Sequence, residues 1–207
     1  MKEVRNFKFE VRAENNEERG NFLTGRPIVY DQATDLGWCD EIIESGALDD
    51  ADLKDVRFLI NHNTDMIPLA RSRNNNENST MQMVVDADGM QIRVDLDTEN
   101  NAEAKSLYSA VERGDIDGMS FMFTTDGEKW DDIDSDHPTR TVTKIGKVFE
   151  VSACTWPAYE QTSITARGLA DALDSAKASL ENERAAKRAI DRQKQKIRIM
   201  RERFKNG

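Results

Sequence analysis

His62 and His137 are the only two histidines in a chain of 207 residues. Serine-based acyl transfer needs a neutral imidazole to take the hydroxyl proton, so such chemistry would have to use one of them. His62 directly follows the apolar run Val56-Arg57-Phe58-Leu59-Ile60, which would hold its backbone at a rigid strand end. His137 sits in the acidic loop Asp134-Ser135-Asp136-His137-Pro138. Ser120 lies between Met119 and Phe121 on a strand pattern, where a hydroxyl is either a nucleophile or a polar-face hydrogen-bonding group. Glu150, set in Val148-Phe149-Glu150-Val151-Ser152, is the best acid to orient an imidazole, because an unpartnered carboxylate on an apolar strand is costly. Each of the three also has a plainer structural reading, and the residues alone leave both open.

Other chemistries fit less well. The acidic stretch Asp131-Asp132-Ile133-Asp134-Ser135-Asp136 lacks the sixth-position Gly and twelfth-position Glu of a calcium loop. There is no phosphate-binding G-x-x-x-x-G-K-[ST] motif and no H-E-x-x-H zinc motif. Cys39 and Cys154 are far apart and form no C-x-x-C pattern. No metal or cofactor is implied.

The elements that must position these residues are mostly strands. Alternation predicts strands over residues 2–12, within 22–30, over 56–60, and in a hairpin of 81–85 with 91–96 around Gly89. Ala47 to Lys54 reads as one or two helical turns, and Ile67 to Ala70 as extended chain. Asn100 to Arg113 is the first convincing helix, with Gly114 as its stop. Met119 to Phe123 is a strand, Asp126 to Arg140 is irregular, and 140–146 and 147–155 are two further strands. From Gly168 onward the pattern is one long helix. Leu169, Ala176, Glu183, Ile190, Ile197 and Phe204 recur every seven residues, but the companion row turns basic at Lys187. That helix should dock early and be solvated later.

Composition sets the limits. Asp+Glu outnumber Lys+Arg by 39 to 29, for a net charge of −10, and 38% of residues are apolar. Residues 168–207 hold 11 Lys/Arg against 6 Asp/Glu, a net of +5, which leaves −15 on the remainder. An acidic body argues against binding a phosphate backbone, and a charged solvated helix is the simpler reading of the tail. No apolar run is long enough to cross a membrane. The N-terminus lacks the apolar core of a secretory signal, so a reducing cytosol with free thiols is expected.

Four segments, in order, resemble one family. They are Glu44-Ser45-Gly46-Ala47-Leu48, the run VRFLINHNTDMIPLAR from Val56 to Arg71, GDIDGMSFMF from Gly114 to Phe123, and FEVSACTWPAYEQT from Phe149 to Thr162. Together they resemble the prohead proteases of tailed bacteriophages, serine proteases that mature the capsid, over about residues 5–165. The resemblance implies an α+β fold like the herpesvirus assembly protease. That is a mainly antiparallel β-barrel with surrounding helices, here followed by a long C-terminal helix. The implied domains are 1–165, the protease, and 166–207, a basic helical tail. The implied triad is Ser120 as nucleophile, His62 as general base and Glu150 as the carboxylate that orients His62, with backbone N–H groups stabilising the oxyanion. His137 is the alternative third member, because herpesvirus relatives use a second histidine. Arg140 is a candidate for supporting the oxyanion. Met122 and Ala70 stand where the family commonly has Gly, and both could crowd the cleft.

The implied partners are the major capsid protein with its scaffolding segment, and the chain itself as substrate. Association of the chain with its own copies is left open. The expected location is the host cytoplasm, inside the immature procapsid and not in the mature virion. The basic tail suits packaging with an acidic scaffold, or removal by cleavage. Two rival readings are an inactive scaffold or assembly protein with a protease-like domain, and a nucleic-acid-binding accessory acting through the tail.

Overall fold

Alternating apolar and polar residues make strands the main element of the body. The structure, a computed structural model, describes residues 2–7, 11–16, 20–155 and 166–205. The elements are β1 (Lys2–Phe7), β2 (Val11–Asn16), β3 (Gly20–Val29), β4 (Thr34–Asp35), β5 (Asp40–Ile43), β6 (Asp55–Ile60), β7 (Ala70–Arg73), β8 (Met81–Asp86), β9 (Gly89–Asp95), α1 (Ala102–Glu112), β10 (Gly118–Asp131), β11 (Thr139–Cys154) and α2 (Ala166–Lys205). The α+β class is therefore as expected.

A seven-stranded sheet runs β1-β10-β11-β5-β4, with β6 also on β11 and β7 on β6. A second sheet has the order β2-β3-β9-β8. Among the described residues the pairings give two sheets that do not close on each other, so the expected barrel is not seen there, and α1 is the one helix within the body. Nor is the larger sheet purely antiparallel. Both β5 and β6 run parallel to β11, at its two ends. Within the strand expected over residues 2–12, β1 joins the large sheet and β2 the small one.

The largest departure from the sequence pattern is the β10–β11 hairpin. The two ends of the Asp126–Arg140 stretch and the break at Gly146 are absorbed into two long strands, while residues 132–138 stay irregular as expected. Register shifts between Met122 and Glu128 let β10 coil without ending. Gly127 and Gly146 sit where a side chain would press on Thr143 and Asp126, so these glycines allow close strand approach and do not mark turns. Residues 47–54 make turns, not a helix, closed by hydrogen bonds such as Ala47 N–H to the Glu44 carbonyl and Asp49 N–H to the Gly46 carbonyl, both 3.0 Å. The chain is extended into a strand only from Ala70, which packs in the core against its partner Phe58 and crowds no cleft.

The 81–96 hairpin forms as expected, with Gly89 at φ 132. A Cβ at Gly89 would collide with the Ile28 carbonyl on the neighbouring strand. Gly89→Ala is expected to lower stability by at least ~2 kcal/mol, combining a backbone region reserved for glycine with that overlap. A denaturant midpoint equal to that of the native chain would refute this.

The helices follow their sequence signals. Asn101 caps α1, its Oδ1 accepting from Glu103 N (2.9 Å) and Ala104 N (3.2 Å), and Gly114 follows the end at φ 76. Ala104, Leu107 and Val111 turn inward. The first part of α2 docks. Ala176 and Leu180 are buried, and Trp130 Nε1 donates to Ser179 Oγ at 3.1 Å. Arg184 donates to the Ile133 carbonyl at 2.6 Å, and Lys187 pairs with Asp134. The acidic stretch once open to a calcium reading thus faces a basic helix. From Arg188 to Arg201 every residue is exposed, as the broken heptad predicts, and Ile190 stands 52% exposed.

A cluster of charges lies inside the large sheet. Arg140 Nη1 donates to Glu3 (2.5 Å) and Glu41 (2.7 Å), and its Nε donates to Glu128 (2.6 Å). Arg5 Nη2 donates to Glu3 and to Glu41, each at 2.7 Å. Arg5, Arg140, Glu3 and Glu41 are all buried. Burial pulls the Glu3 carboxyl upward, but the hydrogen bond and charge of Arg140, with the charge of Arg5, hold it below its ordinary value. Burial, and then the Glu41 charge, pushes the neighbouring Cys39 thiol up to about 12.

Candidate functional site

Alternation along β10 and β11 sorts the candidate residues onto one face. Ser120 pairs with Ser152 and Met122 with Glu150, and cross-strand partners share a face. Cys154, two residues beyond Ser152, lies on that face opposite Gly118. Met122 is half-buried there, directly across from Glu150.

On the other side of β11, β6 runs parallel and brings Ile60 opposite Ala153. The chain then reverses through Asn61 and His62, both left-handed at φ 49 and φ 56. Two successive non-glycine residues in that region hold strain of about 1–3 kcal/mol each, which the surroundings must offset. They do so with several bonds. Asn61 N–H donates to the Ala153 carbonyl at 3.0 Å. The Asn61 amide donates to Thr155 Oγ1 at 2.8 Å, and Thr155 N–H returns a bond to Asn61 Oδ1 at 3.0 Å. His62 N–H donates to Ser152 Oγ at 3.1 Å.

The turn folds the imidazole back over the sheet. His62 Nδ1 lies 2.5 Å from Glu150 Oε1. The other Glu150 oxygen accepts from Ser152 Oγ at 2.5 Å, and Glu150 is only 3% exposed. Both carboxylate oxygens are thus engaged, which resolves the cost of a carboxylate on an apolar strand. With Glu150 accepting at Nδ1, a neutral imidazole carries its proton there and leaves Nε2 as the base.

The structure brings His62 and Glu150 together directly. Ser120 shares their sheet face and is fully buried, and its hydroxyl donates to the Arg5 carbonyl on β1 at 2.5 Å. Cys154 Sγ lies 4.0 Å from His62 Nε2. Burial, joined by the Glu150 charge, pushes this thiol up to about 12 against the pull of a hydrogen bond with Ser120. Cys154 is therefore in reach of both imidazole and hydroxyl, with its thiol held in the protonated form at neutral pH.

Two of the expected roles are not supported by position. His137 lies before β11 begins, with Nε2 3.3 Å from Asp40 and 3.7 Å from Asp35, whereas Glu150 lies near the end of that strand. The carboxylate against His62 is that of Glu150, and His137 is engaged elsewhere, so position does not favour it as a third member. With Asp35 and Asp40 it forms the only group of potential metal ligands among the described residues, and that group is at the surface. Arg140 is likewise corrected. Its guanidinium is buried among Glu3, Glu41 and Glu128 and does not support an oxyanion.

Ser152, Cys154 and Asn61 went unnoticed in the sequence. Ser152 and Cys154 were within reach of the period-two rule, being two and four residues past Glu150. The Thr155–Asn61 bonds pair residues 94 apart and had no local signal. Part of the fourth family-like segment, residues 156–162, lies outside the described residues.

The family model for caudovirus prohead serine proteases matches residues 7–175. No curated protein and no solved structure matches the chain.

Proposed function

The chain belongs to the caudovirus prohead serine protease family, and on that premise we propose that Ser120, His62 and Glu150 are its nucleophile, general base and orienting carboxylate. Family membership makes it a serine peptidase of capsid maturation, acting on capsid proteins in the procapsid within the host cell. The single observation that carries the triad is the 2.5 Å contact between His62 Nδ1 and a Glu150 whose second oxygen is tied down by Ser152. In the reaction the Ser120 proton leaves the Arg5 carbonyl and passes to His62 Nε2 as Oγ attacks a peptide carbonyl. Glu150 stabilises the imidazolium, which then protonates the leaving amine. The finer substrates are the scaffolding segment of the capsid protein and the chain itself, and the enzyme is then absent from the mature virion. The test is co-expression with the capsid protein from the same source. Both chains are followed by intact mass, and the residue labelled by a fluorophosphonate probe is mapped. Trimmed capsid protein with the label on Ser120 supports the reading. An untrimmed capsid protein in assembled particles, with no label, returns the chain to the inactive-scaffold alternative.

One observation favours a second reading, with Cys154 as a thiol nucleophile beside His62 Nε2. Its raised pKa weighs against it, since the thiolate is the reactive form. A label on Cys154, and activity lost with iodoacetamide, would carry that reading over Ser120.

Residues 1–165 act as the protease domain and 166–207 as a basic tail that packages the enzyme with an acidic scaffold. Ala176 to Lys187 support the body, so the informative truncation ends at Arg188 and removes the solvated half. Such a chain is expected to stay folded and to enter procapsids at least tenfold less often, read by quantitative mass spectrometry of purified particles. Normal entry would remove the packaging role.

A further inference from the structure

A cavity of about 550 Å³ opens beside the His62 turn. It lies between that turn, α1 and the segment leading into β10, and its walls are mostly apolar: Ile60, Met66, Leu107, Ala110 and Ile116. Asn61 and Asn63, on either side of His62, line it too, and Ile116 comes four residues before Ser120. The segments that deliver the base and the hydroxyl are therefore also the cavity's walls. Such space is within the range of ligand pockets, and its apolar lining is costly to leave against water. Small side chains on α1, Ser106 and Ala110, keep it open. The loop beside it presents Ile67 at 82% exposure, extending the apolar surface outward.

We infer that this cavity is a specificity site that receives a bulky apolar side chain, aliphatic or aromatic, of a peptide lying across His62. The inference rests on the peptidase reading for its occupant, since the residues flanking His62, Asn61 and Asn63, line the cavity and that reading makes the occupant a peptide. It adds what that reading lacks, the class of residue preferred next to the cut bond. A polar or small residue there would leave the walls hydrated and forgo apolar burial worth ~25 cal/mol per Å².

Binding tests this apart from cleavage. The full-length chain carrying Ser120→Ala is mixed with a random decapeptide pool, and retained peptides are sequenced by mass spectrometry. Retained peptides should be enriched in Leu, Ile, Met, Phe or Tyr at one position. A selected peptide carrying benzoylphenylalanine at that position should photocrosslink to residues 60–66 or 102–116. Adding Ser106→Trp, on the exposed wall, should weaken its binding at least tenfold, and Ala110→Trp should do the same from deeper in the cavity. Retained peptides without an apolar position, crosslinks elsewhere, or unchanged affinity in both variants would overturn the inference. A cavity filled by another part of the chain would give that last result. Selective binding by a chain whose Ser120 form neither cuts nor labels would instead overturn the triad and leave the cavity's preference standing.

Discussion

Ser120→Ala is expected to leave the capsid protein and the chain itself whole, with the rate constant for cleavage down about a million-fold, the scale of losing a triad nucleophile. Glu150→Gln should cost about ten-thousand-fold, because a neutral amide no longer fixes the proton on Nδ1 or stabilises the imidazolium. Combining the two should cost no more than Ser120→Ala alone, since residues acting as one unit are not additive. The decisive comparison is with Cys154→Ala. Cys154 lies 4.0 Å from His62 Nε2, so its removal opens space beside the base but leaves the Ser120 hydroxyl in place. A Cys154→Ala chain that still trims the capsid protein, beside a Ser120→Ala chain that does not, fixes the nucleophile. The reverse pattern would move it to sulfur. Both variants should melt close to the native chain, which separates lost chemistry from lost fold.

The second large effect is on stability. Arg140→Ala removes a cationic partner of Glu3, Glu41 and Glu128 and leaves the two buried carboxylates Glu3 and Glu41 to share the charge of Arg5, with a hydrogen bond from Thr125 to Glu3. An intact buried ion pair is weak evidence of net stabilisation, because desolvation offsets the attraction, but removing one partner strands a charge and costs about 3–5 kcal/mol. That is a large share of the ~5–15 kcal/mol typical of a folded domain. A fall in melting temperature of roughly 10 °C is expected. Arg140→Lys should fall between, since an ammonium keeps the charge but not the fork that reaches three carboxylates. The effect should also depend on pH. The Glu3 carboxyl is held below its ordinary value, so its contribution is present above the unfolded-state pKa of about 4.3 and is lost as pH falls through the lowered folded value. The native chain should therefore lose stability below about pH 4, and Arg140→Ala should lose less of it there. A melting temperature unchanged by Arg140→Ala at neutral pH would mean that water reaches the cluster.

Much of the site was legible because strands have a strict period. Once Glu150 is on β11, Ser152 and Cys154 must share its face, and the same rule places Ser120 and Met122 together on β10. The end of α1 was legible because Gly114 carries a clear stop signal, and the expected start at Asn100 falls just before the cap at Asn101. What the sequence concealed was non-local. Nothing near Arg140 announces that its guanidinium will be buried with Glu3, at |i−j| of 137. Its oxyanion role came from the resemblance to relatives with an arginine-bearing loop, and that resemblance carries no sign of Glu3 or Glu41. Gly146 and the Asp126 region read as breaks, because local propensity cannot see a partner strand whose bulges turn a break into a bend. Family-like spacing pointed to what propensity could not, since His62 and Glu150 have no local reason to meet.

The pairing of β1 with β10 has a consequence in the order of events as the chain folds. Residues 2–7 hydrogen-bond to residues 119–124, and β6 finds its place only beside the last third of β11. Contacts of such sequence separation form slowly, because wide loops must close before any ladder repays the lost entropy. A chain emerging from the ribosome holds His62 long before Glu150 exists to orient it, and it holds the Arg5 carbonyl long before Ser120 arrives to bond with it. The constellation can assemble only when residue 154 is free to pair, so the proposed site is among the last parts of the molecule to become native, and partly made chains hold its pieces unassembled.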